Sequence, residues 1–544
     1  MKEKPILRNK AYLYLTEFFA GMSIMAVELG ASRLLAPYFS SSQIVWTIII
    51  GTIMIAMALG NIYGGRSADK DPDPDRLYKR MIFAALWIAA IPVLGKYVIL
   101  AISGALIFSI SNNFLIIAAF AACMVIFVFP LFLLGTVTPS LVKYTTDSLD
   151  DNGRIVGALC AYNTVGSIIG TFVPTFVTIP AVGTSITFLI FAGILLALAM
   201  IYFLSTRSKL KTVAVSIVVF LICVTFGHNN SFAFWEDDLK YEGESVYNYL
   251  QVKETQSSII LSTNVLFGVQ SILKKDDGMT GMYYDYAMAA PLMAKVGEKE
   301  NLDVLILGMG TGTYASQCRS YFDNVKVEGV EIDEKITGLA AEHFELPGDV
   351  PVTTYDGRAY LNATDRKYDV IMVDAYQDIT IPFQMATIEF FDLVKKHLTA
   401  DGVMVLNMNM RGQKEGNINQ YLADTVSKVF REVYTVDVLA GTNRELFASN
   451  AKGIKEVMRK NIGIQEDIAV KEEEEDRKTE LIYMMNRVSR EMTAYKAGDY
   501  CLTDDRAPVE LLSMRAIDDI IKDEVKIYKG LYERYGVSGL LDYL

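Results

Sequence analysis

The sequence has few cysteines and histidines, and less basic than acidic charge. Its five cysteines, Cys123, Cys160, Cys223, Cys318 and Cys501, form no close pairs and no Cys/His ligand spacing. That excludes a disulfide framework and a zinc site. Lysine and arginine total 51 against 63 acidic residues, for a net charge of −12 and a pI near 5.0. A chain with this balance lacks the basic surface that general nucleic-acid binding requires, whereas acidic surface suits cationic ligands. There is no Gly-X-Y period, which excludes a fibrous chain, and 52% hydrophobic residues exclude a disordered one. His343 has no serine or cysteine partner suggested by spacing and is not read as catalytic. At 544 residues the chain is too long for one ordinary core and is expected to divide into two or three units.

The apolar runs and the charge clusters lie in different halves. Long apolar runs precede His228, and seven candidate membrane spans fall at 11–32, 44–64, 81–101, 113–136, 155–178, 184–205 and 211–227. The apolar stretch Met81–Ile110 exceeds one span, so an eighth crossing is an open alternative. Basic residues cluster at the N-terminus (Lys2, Lys4, Arg8, Lys10) and in the even-numbered connections (Arg66, Lys70, Arg76, Lys79, Arg80; Lys143, Arg154; Arg207, Lys209, Lys211). On the positive-inside rule these lie in the cytoplasm, giving a multi-pass protein of the cell membrane with the lipid bilayer as its partner. The run Gly60–Lys70 resembles a cytoplasmic loop of major facilitator transporters. Seven crossings would carry the rest of the chain outside; the cytoplasmic side is nevertheless the expectation for it. Glu28 and Arg33 are ionisable groups near a span end, read as structural, and Asn163 is either interhelical glue or a ligand contact.

After Asn230 the pattern changes. Segments 245–252, 258–261 and 268–273 read as short strands, a small β-region. From Leu302 apolar strands alternate with helices. Strands are expected at 303–308, 326–331, 351–355, 369–374 and 402–408, with 433–438 and 444–449 completing the sheet. This is an α/β Rossmann-like, methyltransferase-type pattern, a parallel sheet covered on both faces. The expected units are 1–230 (multi-pass helical), 231–300 (small β-region), 301–450 (Rossmann-like) and 451–544 (helical extension).

The chemistry-bearing residues collect at strand ends. The first strand runs into Gly308-Met309-Gly310-Thr311-Gly312-Thr313, a turn whose glycines allow close approach of a nucleoside. Glu331 follows Gly308 by 23 residues (331 − 308), a distance suited to ribose hydroxyls. Asp356-Gly357 ends the third strand, where an adenine edge would lie, and Asp374 and Asp378 end the fourth. Each aspartate alone has a plainer reading as a helix N-cap. Met404–Met410 reads as core strand.

The region from about Ser245 to Asn450 resembles the spermidine/spermine synthase family of aminopropyltransferases. The resemblance rests on Tyr247-Asn248, Met279–Tyr286, Gly308–Thr313, Val330–Asp333, Asp356-Gly357 and Asp374–Asp378. Membrane-fused bacterial members are also similar at Glu28–Pro37, Gly60–Asp69, Asn163–Pro174 and the tail Thr503–Glu510. The resemblance implies decarboxylated S-adenosylmethionine as co-substrate, a polyamine acceptor, no metal, and a homodimer by analogy. Position by position, it implies Asp374 as catalytic base with Tyr283 near the reacting centre. Donor binding falls to Asn248 and Tyr284 (each replacing a glutamine), the turn Gly308, Gly310 and Gly312, Glu331 on the ribose, and Asp356 with Gly357 at the adenine. Asp285, Tyr376, Gln377 and Asp378 are expected on the acceptor side. The chain departs from the family at Thr311, which replaces an aspartate that meets the donor's amine. Asp374 and Asp378 are also separated by three residues rather than two, and the acidic pair before the tyrosine is missing at Thr280-Gly281. These departures keep two alternatives open: a methyltransferase using intact S-adenosylmethionine, and a transporter or sensor whose soluble unit binds polyamine or nucleoside without turnover.

Overall fold

The computed structural model describes residues 5–107, 113–145, 152–228, 231–236, 238–265, 268–276, 278–294, 300–376, 380–409, 414–439, 441–472 and 475–541. The chain divides into two units, Met1–Trp235 and Glu236–Leu544.

Helices make up the first unit: α1 (Lys10–Phe39), α2 (Gln43–Lys70), α3 (Pro74–Ile107), α4 (Phe114–Gly135), α5 (Val137–Thr145), α6 (Asn152–Val173), α7 (Ile179–Ser205) and α8 (Leu210–Gly227). Among the described residues six stretches are long and apolar enough to cross a bilayer, one of them the 53-residue run Gly153–Ser205. A straight helix of that length would be about 80 Å long, far more than the roughly 30 Å of hydrocarbon. It breaks at Gly183, whose φ of 80° is not helical, so the run contains both spans expected at 155–178 and 184–205. Helix α3 is continuous through Pro92 to Ile107, which removes the extra crossing considered there.

Small residues set the closest approach in this unit. A Cβ on Gly166 or Gly170 would lie 2.0 or 2.1 Å from the Phe18 or Met22 carbonyl of α1, so α6 can lie against α1 only with glycine at both positions. At the same contact Asn163 Nδ2 donates to Glu17 Oε1 at 2.7 Å and Thr138 Oγ1 donates to it at 2.5 Å. Asn163 is therefore interhelical glue. The starts of α1 and α3 and the end of α7 meet in a stack of Tyr12, Tyr78 and Tyr202, with ring centroids 5.8 and 4.1 Å apart. At the far end of α1, Tyr38 donates to the Phe232 carbonyl at 3.2 Å, and Lys96 of α3 donates to the Ser231 carbonyl at 2.7 Å. Ser231 and Phe232 therefore sit at the end of the bundle opposite Lys10 and the tyrosine stack.

The second unit opens with an antiparallel sheet of β1 (Leu239–Glu244), β2 (Tyr249–Glu254), β3 (Ser258–Ser262) and β4 (Ser271–Lys274). Two short helices follow, α9 (Tyr283–Ala287) and α10 (Ala289–Met293). The main sheet then builds as β5 (Leu302–Leu307), α11 (Thr313–Tyr321), β6 (Val325–Glu331), α12 (Glu334–His343), β7 (Val352–Thr354), α13 (Gly357–Ala363), β8 (Tyr368–Val373), α14 (Ile388–His397), β9 (Leu398–Met408), α15 (Ile418–Val429), β10 (Glu432–Asp437) and β11 (Arg444–Ser449). Helices α16 (Ile454–Glu472) and α17 (Glu475–Glu491), a short edge strand β12 (Thr493–Ala494) and α18 (Val509–Leu541) complete it. The spatial order is β12-β10-β11-β9-β8-β5-β6-β7. Strands β7, β6, β5, β8 and β9 are parallel; β11 pairs antiparallel with β9, and β10 antiparallel with β11.

Every residue of β8 is buried, as expected of a strand covered on both faces. One cover is α9, α10, α16 and α17, where Tyr283, Met288, Leu292, Met458, Ile462, Leu481 and Met485 meet Ile306, Val370 and Val405. The small sheet packs Leu250, Val252 and Leu261 on Ile336 and Leu339 of α12 and on Phe344 just after it. Strand order reverses between β5 and β8, so connections leave these two strands in opposite directions. A crevice is left beyond their carboxyl ends, where open α/β sheets bind ligands.

Candidate active site

A cavity of about 260 Å3 occupies that crevice. Its floor is the turn after β5. Gly308 (φ +83°) lies so close to the next strand end that a Cβ would be 2.6 Å from Ala375 Cα, and Gly310 (φ +56°) would place one 2.5 Å from Ser271 Oγ. Only glycine meets both the positive φ and the lack of space. Gly312 serves differently: it is the N-cap of α11 at φ +89° and does not line the cavity. Thr311 also lies outside the lining, with its N–H bound to Ser271 Oγ at 3.1 Å.

Glu331 ends β6 and spans the turn. Its Oε2 accepts from Gly310 N–H at 2.9 Å and its Oε1 from Asp333 N–H at 3.0 Å. Burial pushes its carboxyl up to about 7. Asp333 caps α12 through Lys335 N–H at 3.1 Å and also accepts from Asn248 Nδ2 at 3.2 Å, turning Asn248 to the cavity wall. Asp356 caps α13 through Ala359 N–H at 2.7 Å and lines the cavity with Gly357. Capping and lining are thus one arrangement, because a cap residue stands at the carboxyl edge of the sheet. Exposed apolar residues rim the mouth: Tyr247, Ile332 and Tyr355.

Asp374 follows β8 and is held at both oxygens. Tyr283 donates to Oδ2 at 2.7 Å and Asn407 Nδ2 to Oδ1 at 2.8 Å. Withdrawal from bulk water raises its carboxyl to about 7, against the opposing pull of those two donors. Tyr283 is buried behind Asp374 and its ring lies 4.0 Å from that of Tyr284. Burial, then the charge of Asp374, pushes the Tyr283 phenol well above its ordinary range, so it remains a donor. Tyr284 lines the cavity and donates to the Gln270 carbonyl at 2.5 Å. Tyr376 lines it too, donating to the Asn407 carbonyl and accepting from Asn409 N–H at 3.0 Å. Gln377 and Asp378 lie outside the described residues.

Asp285 differs from its expected place. It is 2% exposed, it is absent from the cavity lining, and its carboxylate is saturated. It accepts from Thr280 N–H and Oγ1 (3.0 and 2.7 Å), Gly281 N–H (2.6 Å) and Gln317 Nε2 (2.6 Å). It fixes the turn before Tyr283 instead of facing an amine.

Three residues of this site carry no sequence signal. Asn407 fixes Asp374 and is itself fixed by Asn443 Nδ2, which donates to its Oδ1 at 2.9 Å. Glu445 pairs across β11 and β9 with Asn407 and is fully buried, with neither carboxyl oxygen hydrogen-bonded. Burial, then the charge of Asp374, raises its carboxyl well above the usual range. The arrangement as a whole is a nucleoside-sized cleft with a fixed carboxylate at one wall.

The spermine/spermidine synthase domain model matches residues 282–452. The chain is 49% identical over 355 residues to a probable polyamine aminopropyl transferase of Bifidobacterium longum, covering 63% of this chain and 78% of that protein. It is 26% identical over 217 residues to the polyamine aminopropyltransferase of Vibrio vulnificus, covering 38% of this chain and 70% of the other. Among solved structures, spermidine synthase from Thermotoga maritima matches with 18% identity and a TM-score of 0.36, over 47% of this chain and 88% of that one.

Proposed function

This chain belongs to the spermine/spermidine synthase family and is a transferase, and we propose that its second unit moves an aminopropyl group from decarboxylated S-adenosylmethionine to a di- or polyamine. The observation that carries this reading is the charge of the cavity. Among its described lining residues are Glu331, Asp356 and Asp374, and no lysine, arginine or histidine. A decarboxylated donor brings a sulfonium and an ammonium, and the acceptor brings only ammoniums. Cationic groups therefore enter a lining that is acidic overall, with Asp374 free to meet the acceptor ammonium. An intact donor would bring a carboxylate against them with no cation to pair with it.

In this reading Glu331 accepts from the ribose hydroxyls and Asp356 from the adenine amino group. Tyr355, Ile332 and Met385 give the purine apolar walls. Asn248 and Tyr284 border the donor, and Gly308 and Gly310 let it approach the backbone. Tyr376, Gln377 and Asp378 belong to the acceptor side. An alkyl ammonium holds its proton with a pKa near ~10 and has no lone pair to attack with. Asp374 takes that proton: the N–H bond breaks and an O–H bond forms. The freed pair attacks the carbon next to sulfur, and the C–S electrons leave on sulfur as methylthioadenosine. Tyr283 and Asn407 keep the carboxylate aimed. Proton transfer of this kind is worth about 10²–10⁴-fold, with alignment of nitrogen and carbon adding to it.

Calorimetry with two products tests the reading. Methylthioadenosine should bind at least about tenfold more tightly than S-adenosylhomocysteine, whose carboxylate finds no cation. The reverse order would overturn it.

For the first unit, the reading is a bundle that crosses the membrane seven times. Its basic loops share the end that holds Tyr12, Tyr78 and Tyr202, which the positive-inside rule assigns to the cytoplasm. The cytoplasmic side remains the expectation for residues from Glu236 onward.

A further inference from the structure

The segment around residue 504 is far from the cavity in sequence, yet it is bonded into the cavity wall. Arg358, two residues after Asp356, holds Asp504 at two points: Nη1 to Oδ1 at 2.8 Å and Nη2 to Oδ2 at 2.6 Å. The same Nη1 donates to the Gln384 carbonyl at 2.9 Å. Asp504 Oδ1 also accepts from Thr387 Oγ1 at 2.7 Å, and its N–H donates to Glu389 Oε2 at 3.0 Å. Beside it, the Ile388 N–H donates to the Leu502 carbonyl at 2.9 Å.

These bonds converge on the short turn Phe383–Met385 and on the start of α14, the far anchor of the loop that begins at Asp374. Pro382, Gln384 and Met385 line the cavity together with Asp356 and Gly357. The turn is packed directly on the start of α13, since a Cβ on Gly357 would come within 3.2 Å of Met385 Cε. Neither Arg358 nor Asp504 lines the cavity itself.

We propose that Arg358 and Asp504 form a clasp by which the C-terminal segment holds the Pro382–Met385 turn against the start of α13 and so sets affinity for the nucleoside half of the donor. The inference rests on the reading that this cavity takes an adenosyl group. An isolated surface ion pair contributes little because two flexible chains must be ordered for a screened attraction. This pair is different in kind. It is planar and two-pointed, and each partner also holds a third group, so breaking it releases a wall and not just two side chains. Mutual pairing raises Arg358 and lowers Asp504, which keeps both charged at neutral pH. Both are positioning residues, and their signature is a change in donor affinity without a matching change in turnover.

The test uses the full chain in detergent, with methylthioadenosine titrated calorimetrically and steady-state kinetics run on the same preparations. Asp504→Asn and Arg358→Lys should each weaken methylthioadenosine binding and raise the donor KM about tenfold, with kcat at saturating donor within about threefold of wild type. Asp504→Glu, which keeps the charge, should recover part of the affinity. Unchanged affinity in both variants overturns the clasp, as does a fall in kcat with KM unaltered. If Asp504→Asn does not fold, Arg358→Lys decides alone by the same criteria. If wild type binds no methylthioadenosine, the adenosyl reading of the cavity has failed and the clasp falls with it, an outcome distinct from a variant that binds as well as wild type.

Discussion

The Tyr283 hydroxyl donates to Asp374 Oδ2 at 2.7 Å, while Asn407 holds the other oxygen at 2.8 Å. A carboxylate gripped at both oxygens by a helix on one side and a neighbouring strand on the other has a fixed direction. That suits a base, whose efficiency depends on reach to one proton.

Removing the base while keeping its shape separates chemistry from binding. Asp374→Asn should lower kcat by about 10³-fold, and leave methylthioadenosine affinity within about threefold. Single-turnover kinetics and calorimetry on the same protein measure the two. Equal loss of both would make Asp374 a binding residue.

The pH dependence follows from the two raised carboxyls. Asp374 and Glu331 each titrate near 7 in the free protein, so kcat/KM should rise with pH through about 7 as the base becomes ionised. The two interact, so the limb belongs to the pair. Burial raises the Glu445 carboxyl well above its ordinary range, and Glu445→Gln should leave the limb where it is. A limb displaced by a full unit or more would mean that Glu445 carries charge. The stability sign runs the other way. Both carboxyls hold protons more tightly folded than unfolded, where ~4 is usual. Their contribution is therefore best below about pH 4 and declines as pH rises toward 7, and thermal melts across that window measure it.

Asn443 acts two bonds from the base. Asn443→Ala frees the Asn407 amide to turn and should reduce kcat about tenfold, with donor KM nearly unchanged. An unaltered kcat would mean that the Asn407 amide is held by its bond to Asp374 alone.

The cytoplasmic placement of the second unit is open to direct labelling. In intact spheroplasts a tag after Leu544 should be reached by an impermeant reagent only after lysis. Reaction without lysis would put the unit outside.

The sequence was most legible where one physical signal ruled a whole element. Continuous apolar strands punctuated by glycine or aspartate place β5 at Leu302–Leu307 and β8 at Tyr368–Val373, each within one residue of expectation. The acids at their ends follow from the same punctuation. What remained hidden depends on contacts between distant strands. Asn407 lies in a methionine-rich strand that reads as core, and nothing local announces its bonds to Asp374 and Asn443, 33 and 36 residues away. Asp285 was carried by likeness alone, and its saturation by Thr280, Gly281 and Gln317 emerges only once α11 is packed beside α9. The long apolar helices of the first unit were legible by length.

The most direct test is the identity of the nucleoside released. Purified protein given decarboxylated S-adenosylmethionine and a panel of di- and triamines should produce methylthioadenosine in an amount equal to the aminopropylated amine, and intact S-adenosylmethionine should remain unconsumed. S-adenosylhomocysteine with a methylated amine, or no nucleoside product with any acceptor, would contradict the account.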